Sequence, residues 1–154
     1  MVALRQANVE DHVRVLAVVD EWWGGRRMSA LIPSLFLEHF AGTSYVAEDS
    51  VGALSGFLIG FRSQDRPDEA YVHFVGVRPD QRGTGLGARL HDTFATTVQE
   101  RGVRRIRCVT STLNTASIAF HTSIGFVVDG TDAPIDAVDL DDTAGHVRLV
   151  RELA

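Results

Sequence analysis

The sequence predicts a mixed α/β domain built on a mostly antiparallel sheet with one parallel crossover, flanked by about four helices. Three observations predict it. Short apolar segments of strand character occupy residues 45–77 and return at the C-terminal end. A strand, a glycine-rich turn, an amphipathic helix and a further strand follow one another over residues 70–110, and such a unit closes right-handed with its strands parallel. The 154 residues are 45% hydrophobic and 23% charged with four prolines, the profile of one ordinary domain spanning residues 1–154.

Residues 2–6 read as a first strand. Asn8 can cap a helix whose first turn holds Glu10 and Asp11, where the helix dipole favours acids. Val9, Val13, Leu16, Ala17 and Asp20 recur at helical spacing as a mostly apolar stripe that ends at Trp22, Trp23 and the Gly24-Gly25 break. A second helix is expected over 31–41, with Pro33 near its start and Gly42 beyond its end. Residues 45–48 and 53–61 form a hairpin around Asp49-Ser50-Val51-Gly52, and Gly56 and Gly60 weaken its second strand. Residues 70–77 add a third antiparallel strand. Leu86, Leu90, Phe94, Ala95 and Val98 define one face of a helix over 86–101, closed by Gly102. A strand at 105–110, a helix at 114–123, a strand at 126–129 and a last strand at 147–153 complete the order. Residues 130–145 form an acidic loop, and no internal repeat or linker interrupts the chain.

Charge and composition exclude several classes. The net charge is −5, yet residues 1–128 balance thirteen Arg against thirteen acids, so the excess lies in the last segment. All fifteen basic residues are Arg, and no Arg-rich run with interleaved aromatics marks a nucleic-acid surface. The longest apolar run, 53–61, is far shorter than a membrane span. With no signal-peptide core at the start, a cytoplasmic protein without membrane partner is expected. Cys108, the sole cysteine, sits in an apolar strand pattern and reads as an inert buried thiol. His12, His39, His91 and His146 read as surface residues, and no His or Cys spacing supports a metal. Exposed apolar strand edges would allow a homodimer.

The most informative segment is Val75-Gly76-Val77-Arg78-Pro79-Asp80-Gln81-Arg82-Gly83-Thr84-Gly85-Leu86-Gly87. Closely spaced glycines let successive N–H groups converge, and the helix that follows adds its positive end, so a phosphate or pyrophosphate is the expected ligand. A tight turn without ligand is the bland alternative. A nucleotide P-loop fails, because Ala88 follows Gly87 and the chain has no lysine. A dinucleotide fingerprint fits Gly83-x-Gly85-x-x-Ala88, but the acid needed about 20 residues on is missing from 103–110.

Arg82-x-x-Gly85-x-Gly87, after a strand and before a long amphipathic helix, resembles the acyl-CoA loop of the GCN5-related N-acetyltransferases. Asn114-x-x-Ser117-Ile118-Ala119-Phe120-His121-x-x-Ile124-Gly125-Phe126 resembles that family's second signature, in the expected order and with one strand between. The resemblance spans about residues 70–127. It implies a parallel strand pair splayed at the coenzyme site, with acetyl-CoA as co-substrate and no metal. Backbone at Val75, Gly76 and Val77 would meet the acetyl and pantetheine groups. Arg82, Gly83, Thr84, Gly85, Leu86, Gly87 and Ala88 would hold the pyrophosphate, and Asn114, with Ser117 and Phe120 beside it, would meet the pantetheine arm. Parted parallel strands can pair with such an arm as an added strand would. Gly76 suits a bulge or a close backbone approach, or simply a large neighbour.

Acetyl transfer to an amine needs a neutral amine, a stabilised oxyanion and a protonated leaving thiolate. A strand N–H near residues 75–77 could meet the oxyanion. Most of the resembled family carries a Tyr before the Gly-Phe turn as acid toward sulfur, and here that position is His121, which could donate a proton or merely pack. His73 is the first candidate for the base and Glu48 the second. Strand alternation puts His73, Val75 and Val77 on one face and Val72, Phe74 and Gly76 on the other. Asp68 and Glu69 read as a solvated pair at the strand's start. Trp22, Trp23, Met28 and Phe36, with Arg26 among them, could line the acceptor pocket, and the acidic loop over 129–142 could draw in a basic acceptor such as a polyamine. The expected activity is direct transfer of acetyl to a small-molecule amine within a ternary complex. A protein N-terminus or lysine is the alternative acceptor, and a non-catalytic acyl-CoA sensor the alternative function.

Overall fold

A computed structural model describes residues 1–132 and 145–154. Its strands are β1 (Ala3–Gln6), β2 (Tyr45–Glu48), β3 (Leu54–Arg62), β4 (Glu69–Val77), β5 (Arg105–Ser111), β6 (Val127–Asp132) and β7 (His146–Glu152). Its α-helices are α1 (Asp11–Trp22), α2 (Leu35–His39), α3 (Leu86–Gln99) and α4 (Thr115–Ser123). One sheet takes the order β1-β2-β3-β4-β5-β7-β6, antiparallel throughout except where β4 meets β5. That is the mixed α/β architecture expected. The acidic positions Asp136, Asp139, Asp141 and Asp142 lie outside the described residues.

Two cores sandwich the sheet. On one face Leu86, Leu90, Phe94 and Val98 of α3 pack on Leu58, Val72, Ile106 and Leu149. On the other, Val15, Val19 and Trp22 of α1 pack on Phe57, Ile59 and Phe74. Glycines in β3 let α3 approach closely: a Cβ at Gly60 would fall 2.5 Å from the Phe94 ring, and one at Gly56 3.2 Å from Leu86. Cys108 is buried among the first core, and burial pushes its thiol up to about 12.

Several local expectations need correction. The buried stripe of α1 is Asp11, Val15, Val19 and Trp22, whereas Val9 and Val13 face solvent. Asp11 occupies a core position because Arg5 of β1 and Arg14 reach its carboxylate at 2.8 and 3.2 Å. The helix expected over 31–41 breaks into 3₁₀ turns at Ser29–Leu31 and Ala41–Thr43 around the short α2. Pro33 accounts for the first break, since the residue before a proline avoids helical geometry. Glu69 is not solvated: it is buried, with Arg107 at 3.1 Å and Arg105 at 3.7 Å. His91 is fully buried in α3 against Phe120, His121 and Phe126. His12 and His146 are half-buried, the former bonded to the Ile32 carbonyl at 2.7 Å.

Candidate active site

β4 and β5 pair only through Glu69, Ala70 and Tyr71 against Arg105, Ile106 and Arg107. Beyond that seam they part, although β4 continues to Val77 and β5 to Ser111. Unpaired strand edges expose backbone donors and acceptors that must find another partner. Two cavities open there, of about 700 and about 350 Å³. They share Trp23, Arg26, Val75, Asn114, Ser117 and His121.

The larger cavity runs from Val75 and Val77 over the glycine turn to α4. Gly83 and Gly85 have φ of 79° and 87°, a region that L side chains rarely adopt. Their N–H groups and that of Thr84 have no acceptor among the described residues, and they precede the N-terminus of α3 with its unpaired first-turn amides. Gly87 serves another purpose: a Cβ there would lie 2.8 Å from the Phe120 ring, so its absence lets Phe120 close over the turn. Arg82 folds back, donating from Nε to the Val77 carbonyl at 3.2 Å and from Nη2 to the Trp22 carbonyl at 2.6 Å. Such a cradle of free amides at a helix start, with a guanidinium beside it, suits a diphosphate. The coenzyme's fit rests on these groups and on the parted strand edge.

Among the expected coenzyme contacts, Val75, Val77, Arg82, Gly83, Gly85, Leu86, Gly87, Ala88, Asn114, Ser117 and Phe120 line this cavity, and Gly76 and Thr84 do not. Gly76 lies under Phe57 and Trp23, where a Cβ would meet rings at 2.6 and 3.1 Å, so the large neighbour rather than a bulge explains it. Thr84 Oγ1 donates to the Gln81 carbonyl instead. Asn114 caps α4, its side chain accepting from the Ser117 N–H at 3.1 Å.

The smaller cavity brings His73 and His121 together with Trp23, Met28 and Leu31. The register between β3 and β4 jumps from Ile59 opposite Phe74 to Gly60 opposite Val72, leaving His73 as the extra residue of a bulge. The expected alternation therefore fails. Val72 joins Val75 and Val77 on the α3 core, while His73 turns to the α2 side and stacks on Phe36 at 4.1 Å between ring centroids. Phe36 supports His73 and lines neither cavity. Trp22 is mainly core, stacked on Phe57, though it touches the larger cavity.

His73 Nε2 lies 2.6 Å from the Leu31 carbonyl, and His121 Nδ1 lies 2.7 Å from the Ser117 carbonyl. A carbonyl only accepts, so each of these nitrogens carries the proton and the other ring nitrogen of each neutral imidazole holds a lone pair. Burial lowers both histidines below the ordinary value, with the carbonyl bonds opposing it. Glu48 is elsewhere. Its carboxylate is held by Arg5 at 2.9 Å and Arg14 at 2.8 Å, which lower its pKa, and it borders neither cavity.

Tyr71, Thr110, Ser111 and His146 also line the smaller cavity and were not anticipated. Thr110 and Ser111 had a faint signal, two hydroxyls ending a strand that begins by alternating Arg with apolar residues. Among the described residues no cluster of His, Cys, Asp and Glu is arranged for a metal ion, and no helix is long and apolar enough to cross a membrane.

The chain belongs to the acetyltransferase (GNAT) family, whose model matches residues 4–126. It is 40% identical over 90 residues to an L-2,4-diaminobutyric acid acetyltransferase of Streptomyces coelicolor, a match covering 58% of this chain and 53% of that one. The matched part is thus about half the length of that relative. An L-methionine sulfoximine/L-methionine sulfone acetyltransferase of Pseudomonas aeruginosa is 33% identical over 142 residues, covering 83% of this chain and 81% of its own. The solved structure of Ard1 from Thermoplasma volcanium has the same fold, with a TM-score of 0.82 at 22% identity and coverage of 99% and 98%.

Proposed function

We propose that this chain is an acetyl-CoA-dependent N-acetyltransferase that acetylates the primary amine of a small molecule by direct transfer. One observation carries the reading: two cavities meet at parted strands, one bounded by unbonded amides of the glycine turn, the other by two neutral histidines. The relatives named above, acetyltransferases of small amino compounds, support the acceptor class.

In this reading the turn over 82–88 receives the diphosphate of the coenzyme, which supplies the thioester, and Val75 and Val77 present backbone to its arm. His73 takes a proton at Nδ1 from the incoming ammonium, since only the free amine is nucleophilic. The amine's C–N bond forms as the thioester C–S bond breaks. His121 accepts the nitrogen's second proton at Nε2 and passes it to the departing sulfur. An imidazolium whose pKa is lowered is a strong enough acid for that, because an alkyl thiol holds its proton to about 8.5. His121 therefore relays a proton and is not a resting acid, since its Nδ1–H is committed to the Ser117 carbonyl.

Calorimetric titration with acetyl-CoA, with NADH and ATP as controls, tests the coenzyme. Release of free thiol with L-2,4-diaminobutyrate or L-methionine sulfone then tests turnover. Saturable binding of acetyl-CoA alone, followed by acceptor-dependent release, is expected. Absence of binding in folded protein overturns the reading, and binding without release with any amine makes the chain a sensor.

A further inference from the structure

We infer that His91, which lies behind the site, positions the His121 ring and steadies the charge that His121 carries while it relays the proton, a deepening that rests on the transferase reading above. His91 belongs to the second turn of α3 and lines neither cavity. It is fully buried, and both of its ring nitrogens are without a hydrogen-bond partner among the described residues. Burying an unpaired polar ring works against the fold, and a phenylalanine would fill the place without that cost. Stability therefore gives no reason for an imidazole at this position.

The surroundings give one. The His121 ring meets His91 at 5.2 Å and 90°, Phe120 at 5.1 Å and Phe126 at 5.3 Å between centroids. His91 packs on the same two phenylalanines, so the four rings form one cluster that fixes the plane of His121. Of the three rings around His121 in that cluster, His91 alone is polar. From within α4, the Ser117 carbonyl receives the His121 Nδ1–H at 2.7 Å, and the Ser117 hydroxyl lies 3.3 Å from the same nitrogen.

His121 is 5% exposed, so an imidazolium formed there has little water to solvate it and depends on dipoles already aimed at it. The His91 ring is free to supply one. With neither nitrogen committed elsewhere, its proton can sit on the nitrogen away from His121, which turns a lone pair toward the new charge. It stays neutral while doing so, because burial, His121 and the permanent cation of Arg151 on β7 all lower its pKa. Asp92, the next residue on α3, is engaged by Arg151 at 3.5 Å. Phenylalanine at position 91 would keep the packing and lose the dipole. The His121 imidazolium would then be harder to form, and His121 a weaker acceptor of the amine's second proton.

The test is a double-mutant cycle that combines His91→Phe with His121→Ala. The acceptor is whichever of L-2,4-diaminobutyrate, L-methionine sulfone and putrescine the wild type turns over fastest. His91→Phe alone is expected to lower kcat about 3- to 10-fold and to make His121 titrate about one pH unit lower by NMR of its ring protons. KM for acetyl-CoA should stay unchanged, and stability in denaturant should rise rather than fall. In the His121→Ala background the same substitution is expected to change kcat by less than about 2-fold. An unchanged kcat in His91→Phe overturns the inference. So does an equal fall in both backgrounds, or a fall that comes with lost stability, either of which would make His91 a packing residue only. A His121 titration that stays in place or rises overturns it as well. In each of these cases the transferase stands. A wild type that releases thiol with no amine removes the transferase reading and this inference together.

Discussion

Both ring nitrogens of His91 are buried without a hydrogen-bond partner among the described residues. Its ring meets His121 edge-on at 5.2 Å between centroids and packs against Phe120 and Phe126. A buried donor left unpaired costs about 1–3 kcal/mol, and phenylalanine fills nearly the same volume. His91→Phe is therefore expected to raise stability by about 1–2 kcal/mol near pH 8, read by denaturant unfolding. Burial, His121 and Arg151 lower the His91 pKa to about 3. Between that value and the ordinary 6.5 the unfolded chain binds a proton that the folded chain refuses, so stability falls as pH drops through this window. The advantage of His91→Phe should widen from pH 7 to pH 5; an advantage independent of pH would show that the imidazole is protonated in the fold. The same sign governs catalysis. In the mechanism proposed, His73 and His121 work as neutral bases, and burial lowers the pKa of both, so the acid limb of kcat/KM should lie below pH 6.5. His73→Ala should lower kcat/KM and make that limb shallower, leaving only the protonation of His121, and a limb left unchanged would remove His73 from the mechanism.

At the scale of elements, the seam between β4 and β5 depends on Glu69. Its carboxylate is buried between Arg107 and Arg105 at the paired end of strands that separate a few residues later. Removing one partner of a buried pair leaves the others uncompensated, though these arginines are partly exposed and the cost is reduced accordingly. Glu69→Gln is expected to lower stability by about 1–3 kcal/mol and to speed amide exchange at Tyr71 and Ile106. Unchanged exchange there would show that α3 packing alone holds the seam. How far such elements could be read in advance follows from where their signals sit. The helix α3 was legible because Leu86, Leu90, Phe94, Ala95 and Val98 repeat on one face, and all five are buried. His91 escaped notice because α4 covers the flank of that stripe, a tertiary fact with no local trace. Asp11 misled in the same way, its partner Arg5 lying on another element. The glycine turn was legible because φ near +80° demands glycine. The bulge at His73 was not, since any residue can be the extra one in a strand.

For the whole molecule, the site sits where two halves of the sheet join. Strands β1 to β4 follow one another in both chain and space, while β5, β7 and β6 form a second antiparallel group. Three register pairs, the core on the α3 face and the crossover helix itself join them. A coenzyme that pairs with both exposed edges would bridge the halves and bind only the folded state. At 100 times its dissociation constant it should add about 2.7 kcal/mol to stability. Acetyl-CoA should therefore raise the melting temperature, whereas NADH should not.

The parallel seam also bears on the order in which the chain folds. Strands β2, β3 and β4 close through short turns, whereas the seam needs the stretch from Val77 to Arg105 to form its helix and return, a longer loop with a higher closure entropy. Strand pairing across it then belongs late on the folding path, beyond the rate-limiting barrier. Ligand should lengthen the life of the native state and leave the refolding rate alone, because the surface it grips does not yet exist when the barrier is crossed.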